Sequence, residues 1–309
     1  MKIAVTGSSG LVGQALIDLL KTQGHEVIRI VRKAAPSSER TVLWDPEART
    51  IDLNGLEGVE GVVHLAGESI VGRWTEVLKN KILKSRVEGT RWIAESIARM
   101  KNPPKVLVCA SAIGFYGDRG QEALNESSSK GTGFLSDVCQ AWEDAASPAK
   151  KAGIRTVHLR IGIILSKRGG ALAKMMLPFK LGIGGILGDG KQFMSWIALE
   201  DVTGVILHAL KNNSLEGAVN TVSPKPVANR DFTKALGKAL HRPTLFPVPP
   251  FAIRSLFGEM ADALLLASAQ VYPKKLQESG YSFKYSELSS LFSSILYGAR
   301  ALSARSPIT

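Results

Sequence analysis

Apolar and polar positions along the first seventy residues alternate with two different periods. Lys2–Thr6 and Glu26–Arg32 are short runs rich in β-branched and aliphatic side chains, and each predicts a buried strand. Between them, leucine and alanine recur at helical spacing from Leu11 until Gly24, which predicts one helix. Later apolar runs predict further strands at Val59–Leu65, Lys105–Ala110 and Thr156–Leu159. Strands that alternate with helices predict an α/β protein with a doubly wound parallel sheet.

A glycine-rich turn joins the first strand to the helix. Gly7 allows a tight turn, Gly10 lets a pyrophosphate approach the helix N-terminus, and Gly13 allows the helix to pack closely. This order of strand, turn, helix and strand is typical of a Rossmann-like dinucleotide-binding fold. The residues of the turn that we expect to contact the cofactor are Gly7, Ser9, Gly10, Leu11, Val12 and Gly13.

The end of the second strand bears on the choice of cofactor. NAD sites usually place an acid there, but this strand ends in Arg32 and Lys33, and the next acid is Glu39. Two cations at that position favour a 2′-phosphate, because an arginine offers a planar fork of donors. We therefore predict NADP(H) as the cofactor. The alternative is that Arg32 is only an exposed charge at the end of a strand.

The composition fits one large globular domain or two unequal domains. Of 309 residues, 45% are hydrophobic, and 39 Lys and Arg against 27 Asp and Glu give a net charge of +12. No apolar run reaches the roughly 18 residues that a membrane span requires. The two cysteines favour a reducing compartment, and we predict the cytoplasm. No cluster of His, Cys, Asp or Glu has metal-ligand spacing, so no metal is predicted.

Part of the positive charge is concentrated in one segment. Arg73–Lys105 carries nine Lys or Arg and three Glu. Because no aromatic platform or nucleic-acid motif accompanies these cations, the segment favours a solvated helix face over a nucleic-acid partner. The alternative is that one or two of the cations face a phosphorylated cofactor.

Several motifs together resemble the extended short-chain dehydrogenase/reductase superfamily. They are Thr6-Gly7-x-x-Gly10-x-x-Gly13, His64-Leu65-Ala66-Gly67, Ser111-Ala112-Ile113-Gly114-Phe115-Tyr116-Gly117, and Trp196-Ile197 before Asp201-Val202. Within it, the chain is similar to the NAD-dependent epimerase/dehydratase-like family with a small C-terminal domain, some members of which carry a historical label of cell-division inhibitor. The segments behind this closer likeness are Trp142-Glu143, Leu177–Gly185, Gly188–Phe193, Val222-Ser223-Pro224 and Leu240-His241-Arg242-Pro243.

The resemblance runs from residue 1 to about 297 and implies a chain in two parts. Residues 1–165 would form mainly the NADP-binding domain, which the chain re-enters at about 200–222. Residues 166–309 would form mainly a smaller α/β substrate lobe, with a family-specific C-terminal region at about 249–296.

The family's cofactor contacts carry over to this chain one at a time. Arg32 and Lys33 match phosphate-binding cations, and Ile164 matches a position near the nicotinamide end. Lys81 precedes Arg86 by five residues and is a candidate for the same wall of the site. Outside the glycine-rich turn, the implied cofactor residues are Arg32, Lys33, Leu65, Ala66, Gly67, Lys81, Arg86 and Ile164.

The resemblance also implies an acid/base pair, and this chain lacks it. Active members use a Ser or Thr with a Tyr-x-x-x-Lys pair, in which the Tyr is the general acid/base. Ser111 lies at the expected place and is our candidate catalytic residue. Where the pair is expected, upstream of Glu143, the chain instead has Phe134-Leu135-Ser136-Asp137-Val138-Cys139. Tyr116 and Asp137 are weaker candidates to replace it.

For four further residues, the sequence predicts a structural role or leaves one open. His64, inside an apolar run, is more typical of a core histidine than of a catalytic one. Trp196 either stacks on a substrate ring or packs inside the smaller lobe. Asp201 is expected as an N-cap or first-turn acid, and Asn229 as the cap of the helix that follows it.

Two functional hypotheses remain at this point. The first is an NADP-dependent oxidoreductase or epimerase-like enzyme that acts on a small molecule of unknown identity. The second is a cofactor-binding module that has lost the usual chemistry and acts through a protein partner. The dinucleotide motif supports both, Ser111 favours the first, and the missing Tyr-x-x-x-Lys pair favours the second.

Overall fold

The fold is built on one central sheet of eight strands. The computed structural model describes residues 1–33 and 40–298, so residues 34–39 and the end of the predicted substrate lobe lie outside it. The strands, in chain order, are β1 (Lys2–Thr6), β2 (Glu26–Val31), β3 (Thr41–Asp45), β4 (Thr50–Ile51), β5 (Gly61–His64), β6 (Val106–Ala112), β7 (Ala123–Leu124), β8 (Arg155–Ile161), β9 (Ile163–Leu165), β10 (Phe193–Met194), β11 (Trp196–Ala198), β12 (Gly217–Thr221), β13 (Val227–Ala228) and β14 (Gln270–Val271).

Helices connect these strands and cover both faces of the sheet. They are α1 (Leu11–Thr22), α2 (Glu76–Ala98), α3 (Phe134–Asp144), α4 (Ser147–Lys151), α5 (Gly170–Lys180), α6 (Leu199–Lys211), α7 (Asn229–Leu240), α8 (Pro250–Phe257), α9 (Lys274–Glu278) and α10 (Leu288–Tyr297). Two 3₁₀ turns, Asn54–Leu56 and Ile113–Tyr116, and a π-helical segment, Ala261–Leu266, complete the regular structure of the described residues.

The strand order confirms the predicted doubly wound parallel sheet. The order is β12-β8-β6-β5-β1-β2-β3-β4, and every neighbouring pair is parallel except β3 and β4. The chain leaves β1 for β2 on one side and returns to β5 on the other. In such sheets, ligands bind outside the carboxyl ends of the strands where the order reverses. The candidate site is therefore expected beyond β1 and β5.

Alternate residues of each central strand supply two separate cores. Ile3 and Val5 pack with α1 and α6 on one face, whereas Ala4 packs with α2 and α4 on the other. This alternation is what a strand buried on both faces requires, because successive side chains point to opposite sides. It explains why β1 is apolar throughout instead of alternating with polar residues.

The smaller lobe has a core of its own, formed by α5, α7 and α10. Trp196 is fully buried in it and its indole N–H donates to the carbonyl of Lys225 at 3.0 Å. The packed alternative for Trp196 is therefore correct, and the stacking alternative is wrong. β12 lies in the main sheet beside β8, although it follows β9–β11 of the lobe in sequence. The division at residue 165 stays a prediction.

Asp201 fastens the C-terminal part of the chain to α6. It lies in the first turn of α6, as expected, but it is fully buried. Its carboxylate accepts the backbone N–H groups of Lys284 at 2.7 Å and Tyr285 at 3.0 Å, and the hydroxyl of Tyr281 at 3.2 Å. Burial raises the pKa of Asp201, and these donors partly oppose the rise.

Asn229 does not cap α7, because it is the first helical residue and Ala228 occupies the cap position. The Oδ1 atom of Asn229 instead accepts the backbone N–H of Leu187 at 2.9 Å. The side chain is thus used to hold the glycine-rich loop after α5, a contact between positions 42 residues apart. The expectation from sequence was wrong because it considered only local partners.

Replacing Asp201 with Asn should destabilise the protein by about 1–3 kcal/mol, because an amide cannot accept all three donors. Chemical denaturation followed by circular dichroism measures this difference. The matched control is Glu200→Gln, which removes the charge of the exposed neighbour in the same turn. Equal midpoints for the two variants would contradict the role given to Asp201.

Candidate functional site

The turn between β1 and α1 fits only glycine at two positions. Gly7 has φ of +64°, and a Cβ there would lie 2.7 Å from the carbonyl carbon of Leu65. A Cβ on Gly13 would lie 2.3 Å from the carbonyl oxygen of Gly7. Gly13 therefore lets the helix approach the turn itself, rather than only the sheet. The turn, the helix and the end of β5 form one tightly packed unit.

A cavity of about 200 Å³ opens beside this turn. It is lined by Gly7, Gly10, Leu11, Val12, Gly13, Leu65, Ala110, Ile161 and Ile164. The structure thus brings together most of the residues expected at the glycine-rich turn with two of those implied by the resemblance. Ala110 and Ile161 also line the cavity but were not predicted to do so. The one available signal was that they lie at or near the ends of predicted strands.

The N-terminus of α1 points its free backbone groups at this region. Gly10 is the N-cap residue and makes no side-chain cap, and the first turn of α1 contains no acid. The first N–H groups of a helix lack partners within the helix, and the helix dipole favours an anion at this end. Ser9 is exposed at the same turn, so the arrangement suits a phosphate group.

The segment after β5 is held in place by Thr6, a role that was not predicted. Its hydroxyl accepts the N–H groups of Leu65 at 3.1 Å and Ala66 at 3.3 Å, and lies 2.8 Å from Nδ1 of His64. Because its oxygen already accepts two N–H groups, the hydroxyl donates its own hydrogen bond to Nδ1 of the imidazole. Burial lowers the pKa of His64 to about 4, so the ring is neutral near pH 7. His64 is a core histidine, as expected.

The predicted phosphate-binding cations lie just beyond β2. Arg32 and Lys33 are both exposed. A third cation, Arg29, lies within β2 and was not foreseen. It donates from Nε to the Ser8 hydroxyl at 3.1 Å, so it ties β2 to the glycine-rich turn. Strand alternation was the available signal, because Arg29 faces the side of the sheet that α1 covers.

Arg86 packs under the segment that follows β5. Its guanidinium lies 5.0 Å from the centre of the Trp142 ring, and it donates to the carbonyl of Glu68 at 3.0 Å. A Cβ on Gly67 would lie 3.6 Å from the guanidinium carbon. Burial lowers the pKa of Arg86. Lys81 is exposed on the same helix, and a five-residue spacing turns it about 140° away from Arg86.

The face of α3 where an acid/base pair was expected is apolar. Leu135 and Cys139 both face the turn after β6, within 3.2 and 3.7 Å of a Cβ built on Gly114. Burial raises the pKa of the Cys139 thiol to about 12, so it stays protonated near pH 7. Phe134 packs edge-on against Trp74, with ring centres 5.2 Å apart. Leu135 and Cys139 therefore offer no group that exchanges a proton readily.

Ser111 belongs to a buried polar network. Its hydroxyl donates to Glu143 at 2.7 Å, and Glu143 pairs through both oxygens with Arg160 at 2.8 and 2.9 Å. The Glu143 and Arg160 side chains are only 10% and 6% exposed. Arg160 also donates to the Tyr116 hydroxyl at 3.0 Å. This pair was not predicted, because its members are 17 residues apart and no local pattern joins them.

The hydrogen bonds of this network decide whether Tyr116 is available as an acid, and an ion pair decides the same for Asp137. Tyr116 is fully buried, its hydroxyl donates to Oδ1 of Asn220 at 2.7 Å, and burial raises its pKa. Burial lowers the pKa of Arg160, but the contacts with Glu143 outweigh that effect and leave it raised. Asp137 is exposed and forms an ion pair with Lys130. Neither Tyr116 nor Asp137 is therefore placed as a free acid.

Across residues 1–33 and 40–298, no three His, Cys, Asp or Glu side chains gather as a metal site would require. Among the helices of these same ranges, none combines the length and apolar character needed to cross a membrane.

Comparison with known proteins identifies the family. The family described as "NAD dependent epimerase/dehydratase family" matches residues 3–221. The chain belongs to this family. A second match, to a domain of unknown function (DUF1731), covers residues 248–295, at the place of the C-terminal region expected at about 249–296. The extended short-chain dehydrogenase/reductase resemblance is confirmed.

Relatives match over nearly the whole chain. Epimerase family protein Mb2239 of Mycobacterium bovis is 39% identical, over 93% of this chain and 94% of its own length. The human epimerase family protein SDR39U1, whose crystal structure contains NADPH, has 34% sequence identity with this chain. The two structures superpose with a TM-score of 0.88, over 96% of this chain and 99% of that chain. The nucleoside-diphosphate sugar epimerase from Corynebacterium glutamicum has 37% sequence identity with this chain. Its crystal structure matches with a TM-score of 0.80, over 96% of this chain and 58% of that chain.

Replacing Glu143 with Gln should cost about 3–5 kcal/mol of stability, because it leaves the buried Arg160 without a counter-ion. Urea denaturation of the two proteins measures the loss. Asp144→Asn, which neutralises the exposed acid next in the chain, is the matched control and should change stability by less than about 0.5 kcal/mol. Similar stabilities for both variants would show that the ion pair is not the main support of this region.

Proposed function

We propose that this chain binds NADP(H) across the carboxyl ends of β1 and β5 and acts as an oxidoreductase- or epimerase-like protein on a small molecule. The observation that carries the proposal is the cavity beside the glycine-rich turn, where a helix N-terminus without acids meets a backbone cradle. Both features suit a dinucleotide pyrophosphate. The relative SDR39U1, whose structure contains NADPH, supports the same choice of cofactor.

The described residues divide between the two ends of such a cofactor. The N–H groups of Leu11 and Val12 would hold the pyrophosphate, with Ser9 beside them. The N–H of Gly10 already donates to the carbonyl of Gly7, so Gly10 would contribute close approach of its backbone instead. Arg32 and Lys33 would pair with a 2′-phosphate. Towards the nicotinamide end, the lining would come from Leu65, Ala66, Gly67 and Ile164, with Arg86 as a nearby cation. Lys81 is turned about 140° from Arg86 around α2, so we leave it out of this wall. When bound, the cofactor supplies or accepts a hydride; the chain's own residues bind and orient it.

Such an enzyme would lack a well-placed group for proton transfer. The Ser111 hydroxyl donates its hydrogen bond to Glu143, so it presents only oxygen lone pairs to a substrate in this arrangement. To act as a donor, Ser111 must exchange this partner for the substrate oxygen. A positioned acid/base typically contributes about 10²–10⁴-fold to a rate. We therefore propose that turnover, with Ser111 as the participating hydroxyl, is slow.

A second candidate function is a cofactor-binding module that acts through a protein partner. The specific observation in its favour is that Leu135 and the neutral thiol of Cys139 occupy the face of α3 where the acid/base pair was expected. Such a module keeps the cofactor cavity and has no catalytic activity.

Under either function, the location of the protein in the cytoplasm stays a prediction.

Titration of the purified protein with NADPH and NADH tests the cofactor. We expect NADPH to bind about ten- to a hundredfold more tightly, because charged hydrogen bonds to the 2′-phosphate contribute about 1.5–3 kcal/mol. Arg32→Ala should remove most of this preference. Arg40→Ala is the matched control, since Arg40 pairs with Glu26 at the opposite end of β2. Equal affinities, or an unchanged preference in Arg32→Ala, would refute the assignment.

A panel of aldehydes, ketones and nucleotide sugars, assayed with NADPH, tests the chemistry. We expect slow turnover that falls further in Ser111→Ala. Ser136→Ala is the control, because Ser136 is also a buried hydroxyl near this site and donates to the carbonyl of Gly114. Rapid turnover unaffected by Ser111→Ala would place the active site elsewhere. Tight NADPH binding with no turnover would favour the module.

A further inference from the structure

The smaller lobe exposes a group of large apolar side chains to solvent. We call this group the apolar rim; its members are Leu177, Leu181, Ile183, Leu245, Phe246 and Phe251. Each of them is between 64% and 75% exposed. Single exposed apolar residues are ordinary, but a cluster of this kind marks an interaction surface.

Two contacts hold together the chain segments that carry the rim. The side chain of Arg242 donates to the carbonyl of Lys180 at 2.9 Å, which joins the segment before Leu245 to the end of α5. A Cβ on Gly185 would lie 1.8 Å from the carbonyl oxygen of Phe246, so these two backbones touch. Phe251 follows in the first turn of α8. The rim is therefore one surface drawn from two neighbouring segments and the start of a helix.

The rim lies away from the candidate cofactor site. α5 starts beside the cavity, where a Cβ on Gly170 would lie 3.3 Å from the Leu11 side chain. Leu181 comes eleven residues later, which corresponds to about 16 Å along a helix. An occupant of the rim would thus leave the cofactor cavity free.

The charge around the rim indicates the chemistry of its occupant. The two segments 174–191 and 238–258 carry six Lys or Arg and one acid, Asp189; Lys191 pairs with Asp189, and Arg254 pairs with Asp262 just beyond the second segment. The other four cations form no ion pair with a described residue; they are Lys174, Lys180, Lys238 and Arg242. A second copy of this chain would bring the same cations against them, and the whole chain already has a net charge of +12. Like charges across an interface oppose association, so the surface suits an anionic partner.

The shape of the rim favours a membrane over a protein. Its side chains protrude, as their high exposure shows, whereas apolar anchors at protein interfaces usually fill pockets on a matching surface. Protruding aliphatic and aromatic groups among lysines and arginines are typical of segments that enter the boundary of an anionic bilayer. We propose that the apolar rim docks the smaller lobe onto the surface of a membrane that contains anionic phospholipid.

Sedimentation with vesicles tests this docking. The purified protein is mixed with vesicles of phosphatidylcholine alone or with added phosphatidylglycerol. We expect about tenfold stronger binding to the anionic vesicles, weakened by salt. The double variant L181S/F246S should lose at least about tenfold of this binding, because it removes apolar groups that enter the bilayer. Leu43→Ser, which alters an exposed leucine on β3, is the matched control and should bind normally.

The charge contribution is tested separately. K174Q/K180Q should weaken binding to anionic vesicles about tenfold. The matched control, K101Q/K105Q, removes two exposed lysines outside the two segments of the rim and should have little effect. NADPH affinity, measured on every variant, should stay unchanged, which separates this proposal from that of the cofactor site. Equal sedimentation with both vesicle types would overturn the proposal. So would a concentration-dependent dimer that L181S/F246S abolishes, since the rim would then bind a second copy.

Discussion

The structure depends on the close approach of two backbones at the carboxyl ends of β1 and β5. Gly7 lies against Leu65 and Ala66 at a distance that leaves no room for a side chain, and Gly13 lies equally close to Gly7. Thr6 reinforces this contact from within the sheet, because its one hydroxyl binds two N–H groups and an imidazole. Turn, helix and strand end are thereby fixed together, and the cavity is the space that they enclose with β6, β8 and β9.

A second constraint acts at the ends of β6 and β8, where a charge is buried. Arg160 cannot lose Glu143 without a large cost in free energy, so this pair is a fixed part of the region. Ser111 and Tyr116 both bind to it, and their protons are directed into the network. Leu135 and Cys139 lie earlier on α3, the helix that carries Glu143, and present only carbon and a protonated thiol. The glycine cradle beside β1 is thus well formed, while the hydroxyl groups of Ser111 and Tyr116 are engaged in hydrogen bonds within the buried network.

The parts that sequence predicted well are those with local signals. β1 runs over Lys2–Thr6 as predicted, and the glycine-rich turn and its helix follow within the next few residues. The parts that it predicted poorly involve partners far along the chain. Asn229 was expected to cap its own helix but holds Leu187, and Arg29 was not noticed although it holds Ser8. A residue type indicates which hydrogen bonds a side chain can make, but not which partner comes within reach.

The sequence by itself determined the fold class, the position of the glycine cradle and the absence of a Tyr-x-x-x-Lys pair, because strand and helix periods and short motifs depend on neighbouring residues. Only the tertiary structure decided that Ser111 donates to Glu143, that Leu135 and Cys139 face the turn after β6, and that Trp196 is core. The physical reason is that burial, pairing and pKa depend on the surroundings of a side chain. Packing sets those surroundings by joining strands and helices that are distant in sequence.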